Sequence, residues 1–220
     1  MQKSIKVART IVQLLYIKEY RQHGCYPFFR EPEFRTRLRQ VITTTVEVDI
    51  PKYAEMTVAA TEKLKKLMYY VSQSVPVKIN YSDMERDLDI PRNSLPTYLE
   101  YLEKAELVSM LRMKANGDAV LRKMDKLYLN NSNMMYSMSD HEPNPGNVRE
   151  TMFLSWMENT FDIVESPISD FELDGKTFEV GGRKKGKKQI ADASEGYIVA
   201  DDIEYAYKNK IPLWMFGFIY

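Results

Sequence analysis

The segment Asp170-Phe171-Glu172-Leu173-Asp174-Gly175-Lys176-Thr177-Phe178-Glu179-Val180-Gly181-Gly182 reads as a β-hairpin, and the class of the whole chain turns on it. Asp-Gly between alternating residues is the strongest short signal for a two-residue turn. With that turn, Leu173 opposes Lys176, Phe171 opposes Phe178 and Asp170 opposes Glu179. Alternation then puts Phe171, Leu173, Phe178 and Val180 on a core face, and Asp170, Glu172, Thr177 and Glu179 on the other. Like charges directly opposite repel by about 0.2–1 kcal/mol unless water or a cation screens them. That acidic face is therefore either solvated or, with Mg²⁺ or Mn²⁺, a pair of hard oxygen ligands at Asp170 and Glu179.

Around the hairpin the elements alternate. A helix is expected over Asn147–Glu158, a strand over Gly196–Ala200 and a helical turn over Ile203–Tyr207. Residues 134–220 thus read as an α/β domain with a small mixed sheet. Upstream, Leu64, Leu67, Met68 and Val71 form a helical stripe. Ser82-Asp83-Met84-Glu85 looks like a capping box opening a second helix. After a turn at Asp89-Ile90-Pro91, Leu95, Tyr98, Leu99 and Leu102 line a third. Two extended runs, Leu107–Met113 and Val120–Leu129, flank Asn116-Gly117. Three helices and a hairpin make residues 61–133 a winged helix-turn-helix. Residues 1–60 read as a helical segment, interrupted at Gly24–Phe29, with the β-branched run Val41–Val48 taken as helix.

Composition narrows the function. Lys+Arg and Asp+Glu are 31 each in 220 residues, so no global field draws the chain to nucleic acid or membrane. One cysteine, Cys25, excludes an internal disulfide, and with two histidines it excludes the usual zinc sets. A reducing cytoplasm is the simplest setting. No apolar run is long enough to span a bilayer, and the closing Ile211–Tyr220 is expected to tuck into the core. His23 and His141 read as surface histidines; Trp156 and Trp214 read as core.

Local charge is more informative. Arg183, Lys184, Lys185, Lys187 and Lys188 crowd one loop and suit phosphate or simple solvation. Gly181 to Lys188 nearly spells a P-loop, but Lys188 stands where Mg²⁺ needs a hydroxyl, so no ATP binding is expected. On the third helix Arg92 and Lys104 would face nucleic acid, opposed by Glu100, Glu103 and Glu106, with Arg112, Lys114, Arg122, Lys123 and Lys126 in the wing.

Several motifs in order resemble a prokaryotic AAA-type P-loop ATPase family. They include Tyr26-Pro27-Phe28-Phe29, Pro91-Arg92-Asn93-Ser94-Leu95, Lys126-Leu127-Tyr128-Leu129-Asn130-Asn131, Asn147-Val148-Arg149-Glu150-Thr151 and Phe178-Glu179-Val180-Gly181-Gly182. The resemblance is to the family's C-terminal half, and it implies a winged helix followed by a fold similar to PD-(D/E)XK nucleases. The family's upstream Walker motifs are not in this chain, so an ATPase domain is an expected partner in full-length relatives. Carried over, Glu150 is the helix carboxylate, Asp170 the strand aspartate and Glu179 the acid of the triplet. The triplet lysine falls on Gly181, and Lys184, Lys185, Lys187 or Lys188 is expected to reach in from the next turn in its place, with Lys185 the one named as catalytic. The resemblance therefore implies a regulatory or recognition region binding nucleic acid or protein, or a divalent-metal nuclease that has lost part of its site.

Overall fold

A computed structural model describes residues 14–113 and 124–219. Helix α1 covers residues 14–23. Helix α2 (Phe34–Thr44) runs through one π turn, Thr45–Asp49, into α3 (Ile50–Tyr53). Pro51 has no N–H to give Glu47, and Ile50 N–H reaches back to the carbonyl of Thr45, so the ladder slips by one residue there. The run Val41–Val48 is thus helical despite its β-branched residues.

Next come α4 (Val58–Ser74), β1 (Val77–Lys78), α5 (Tyr81–Leu88), α6 (Leu95–Lys104), β2 (Val108–Arg112) and β3 (Met124–Leu129). The stripe on α4 is buried as expected: Leu64, Leu67 and Val71 are fully inside. The cap of α5 is one correction. Asn80, not Ser82, accepts from the N–H groups of Ser82 (3.1 Å) and Asp83 (3.4 Å). Glu85 instead holds the following turn, accepting from Arg92 N–H at 3.0 Å. Strands β1, β3 and β2 pair antiparallel in that order. The expected turn at Asn116-Gly117, with Lys114, Arg122 and Lys123, lies outside the described residues.

The rest of the chain adds α7 (Ser132–Met138), α8 (Pro145–Met157), β4 (Ile163–Glu165), β5 (Phe171–Leu173), β6 (Lys176–Gly181), β7 (Gly196–Ala200), β8 (Lys210–Pro212) and α9 (Leu213–Phe216). The second sheet has the order β4-β5-β6-β7-β8; the first three are antiparallel, and β7 and β8 continue parallel to β6. The architecture is therefore mixed α/β with a three-stranded and a five-stranded sheet. The hairpin register is the expected one, Leu173 facing Lys176 and Phe171 facing Phe178. Asp174 (φ 50°) and Gly175 (φ 75°) supply the left-handed pair that a tight hairpin turn requires. Parallel neighbours usually need a helical crossover. Here residues 182–195, between β6 and β7, contain none.

One contiguous core runs from Phe34 to Phe216 and takes in all three segments. Its centre is Phe153 on α8, whose ring meets Phe171 (5.2 Å), Phe178 (5.5 Å) and Phe216 (5.0 Å). Toward the C-terminus Leu213 and Phe216 are buried while Met215, Phe218 and Ile219 stay exposed, so only half of the closing run tucks in. Trp156 is core, but Trp214 is only partly covered. Residues 203–207 are irregular, bending at 204 and 205 and ending in a bridge from Tyr207 to Lys210, and are not a helix. His23 is half-buried, edge-on to Phe34 at 5.6 Å, whereas His141 is exposed. Among the described residues no helix is long and apolar enough to cross a membrane.

Candidate functional site

Glu150 comes from α8, Asp170 from the residue before β5, and Glu179 from the middle of β6. Strand β6 is a central strand covered on both faces, so the solvated acidic face is not found: Glu179 is 0% exposed. The three acids lie close enough that Glu150 and Glu179 raise the pKa of Asp170, and Glu179 raises that of Glu150.

Each carboxylate already has donors. Asp170 Oδ2 accepts from Val180 N–H at 2.8 Å. Tyr128, reaching in from β3, donates to Glu150 Oε2 at 3.1 Å. Ser169 donates to Glu179 Oε2, and the ammonium of Lys185 pairs with Glu179 Oε1. Gly181 explains how Lys185 arrives. A Cβ on Gly181 would lie 2.7 Å from Cγ and Cδ of Lys185 and 2.8 Å from its Cβ. The aliphatic stem of Lys185 thus fills the space a side chain at 181 would take. The basic loop supplies the lysine that the strand lacks.

Burial dominates the electrostatics. Desolvation pushes Asp170 up to about 7, helped by Glu150 and Glu179 and opposed by the Val180 N–H and Lys185. Glu150 is raised for the same first reason, with Lys126 and the Tyr128 hydroxyl pulling it back. Lys126 also pairs with Glu165 at 3.7 Å. It therefore faces this site and is not an outward wing cation.

A divalent cation fits poorly as the groups stand. Among the described residues no three His, Cys, Asp or Glu side chains group as a metal-ligand set, and the internal ammonium of Lys185 sits on Glu179. Asp170 and Glu179 are neighbours, but as hydrogen-bonded and ion-paired acids.

The other candidates divide sharply. Arg183, Lys184, Lys187 and Lys188 are exposed, and among the described residues none of their side chains has a hydrogen-bond or ion-pair partner. Lys104, by contrast, is paired with Glu100 at 2.7 Å, and Arg112 with Glu103 at 3.1 Å. Arg92 is exposed near the start of α6. Of the cations read on the third helix and its wing, Lys104, Arg112 and Lys126 are thus ion-paired and the Arg92 side chain is not, while Lys114, Arg122 and Lys123 lie outside the described residues.

Sequence reasoning missed Ser169, the role of Tyr128 and a buried ion triplet. In that triplet Arg21 (2.6 Å) and Arg149 (2.9 Å) both bind Asp201 Oδ2. Tyr128 is 22 residues from Glu150, on β3 while Glu150 is on α8, and no local pattern could join them. Arg149 was adjacent to a quoted acid but had no visible partner.

The model of a domain of unknown function, DUF8612, matches residues 16–144, and the chain belongs to that family. The match ends just before α8, so Glu150, Asp170, Glu179 and Lys185 lie beyond it. No curated protein and no solved structure matches.

Two outcomes follow from the buried charge. An acid whose folded-state pKa lies near 7 keeps a proton that the unfolded chain loses near 4, so it erodes stability as pH rises between these values. Asp170→Asn should therefore raise the melting temperature at pH 8, by about 0.5–2 kcal/mol of stability, and leave it unchanged near pH 4. Thermal denaturation at the two pH values checks this. Gly181→Ala should destabilise by about 1–3 kcal/mol because the new methyl overlaps the Lys185 stem. Urea unfolding of Gly181→Ala beside the natural protein checks this.

Proposed function

We propose that this chain is a non-catalytic recognition module that engages nucleic acid. The carrying observation is the split of one loop: Lys185 turns inward and neutralises Glu179, while Arg183, Lys184, Lys187 and Lys188 stay outside and unpaired. The Lys185 ammonium gives Glu179 a counter-charge other than a metal, and unpaired cations on the outer side suit phosphates.

The fold reading belongs to the same proposal. Helices α4, α5 and α6 followed by β2 and β3, with β1 completing the sheet, are consistent with a winged helix-turn-helix. The order α8-β4-β5-β6-β7, with three antiparallel strands and then a parallel one, is consistent with a PD-(D/E)XK-like core. In relatives resembling AAA-type ATPases such a module would couple nucleotide-driven motion to its target.

Fluorescence anisotropy with duplex DNA, single-stranded DNA and RNA at low salt tests this. Binding is expected, and changing Arg183, Lys184, Lys187 and Lys188 together to Ala should weaken it at least tenfold with a shallower salt dependence. No binding to any of them would leave only protein partners.

A second reading has its own observation. Lys185 fills the place of the missing triplet lysine beside Glu150, Asp170 and Glu179, as a metal-dependent nuclease with a displaced lysine would require. Plasmid cleavage in Mn²⁺ by the natural protein, abolished in Asp170→Ala, would establish that reading. Equal activity in both proteins, or none in either, would remove it.

A further inference from the structure

The turn before β8 lies against the basic loop, and it carries exposed aromatic side chains. Lys210 Nζ donates to the carbonyls of Arg183 (2.7 Å) and Lys185 (3.1 Å), zipping the loop after β6 to the turn formed by Tyr207, Lys208, Asn209 and Lys210. The turn is itself held. Tyr207 and Lys210 exchange both backbone hydrogen bonds, at 2.9 and 3.0 Å, and Asn209 Nδ2 donates to Gly196 O at 2.8 Å. The backbone beneath both loops is therefore tied to β7 and β8.

On this fixed base Tyr207 is 71% exposed and Tyr205 60% exposed, with the ammonium of Lys208 over the Tyr207 ring at 5.4 Å from its centroid. The Tyr207 ring stands in solvent with Lys208 over one face, which leaves its other face for a stacked base. Of the acids flanking the two tyrosines, Asp202 is paired with Lys18 at 3.5 Å and Glu204 has no ion-pair partner among the described residues. The surface thus combines unpaired cations from one loop with aromatic faces from the next.

We infer that this two-loop surface binds a single-stranded polynucleotide, with a base stacked on Tyr207 and the backbone phosphates on the cations of residues 183–188. The inference rests on the recognition reading above and names the strand type it prefers. Duplexes bury their base faces inside the stack and would use only the cations. Single strands offer π faces as well, and stacking tolerates any base.

The test compares a labelled oligothymidine, an oligouridine of equal length and a blunt duplex by anisotropy across a salt series, using the full chain. The single strands should bind more tightly than the duplex. Tyr207→Ala should lose about tenfold in affinity for the strands without changing the salt slope, and Tyr207→Trp should keep the affinity. Lys187→Ala with Lys188→Ala should instead flatten the slope by about 1.4. Because Tyr207 is exposed, circular dichroism is expected to be unchanged in its variants. Binding that is equal or tighter for duplex, or indifferent to Tyr207→Ala, overturns the single-strand inference while the recognition reading stands. Absence of binding to all three probes overturns both. Preference between the two strands reports whether DNA or RNA is the natural form.

Discussion

Everything about the candidate site depends on where α8 sits against the sheet, and a buried ion triplet fixes that. Asp201, 3% exposed just after β7, takes Arg149 from α8 and Arg21 from α1 on a single carboxylate oxygen. The two guanidinium groups hold Asp201 below the usual carboxylate range against the opposing effect of burial. Removing one partner of such a group leaves an uncompensated buried charge, typically worth about 3–5 kcal/mol. Arg149 precedes Glu150 in the chain, so the same clamp that joins helix to sheet also sets the acid beside Asp170 and Glu179. It further ties α1, from the helical N-terminal segment, to the α/β part.

The acid cluster inverts what a stable core would choose. Three carboxylates lie close together, Glu179 fully buried and Glu150 and Asp170 partly so, and burial pushes Asp170 up to about 7. A core built for stability alone would fill that volume with apolar side chains. Phe153, Phe171 and Phe178 do so immediately beside it. Buried carboxyls kept together, with one lysine led in past a glycine, are the kind of local cost that accompanies function.

How far the sequence could be read depended on the range of the interaction. The Asp174-Gly175 turn is local, so it fixed strand register, and the β7 strand and the helix α8 were legible for the same reason. The Ser82 capping box failed because Asn80, two residues earlier, caps the N–H groups of Ser82 and Asp83, so the helix starts at Tyr81 and Ser82 lies inside its first turn. Alternation identified the two faces of β6 but could not say that both are covered, since that depends on distant elements such as α8 packing onto the sheet. Lys185 was legible as a candidate, but its approach over Gly181 was not: it depends on a loop path that no periodicity encodes. Tyr128, Ser169 and Asp201 met their partners only through the fold.

The crossover from β6 to β7 has one more implication. Its inward ammonium belongs to an irregular connection and to no strand, so no ladder hydrogen bond would have to break for it to withdraw. The counter-charge of the buried acid is thus carried by a loop that no ladder holds, and the bonds from Lys210 to the carbonyls of Arg183 and Lys185 are what keep that loop in place.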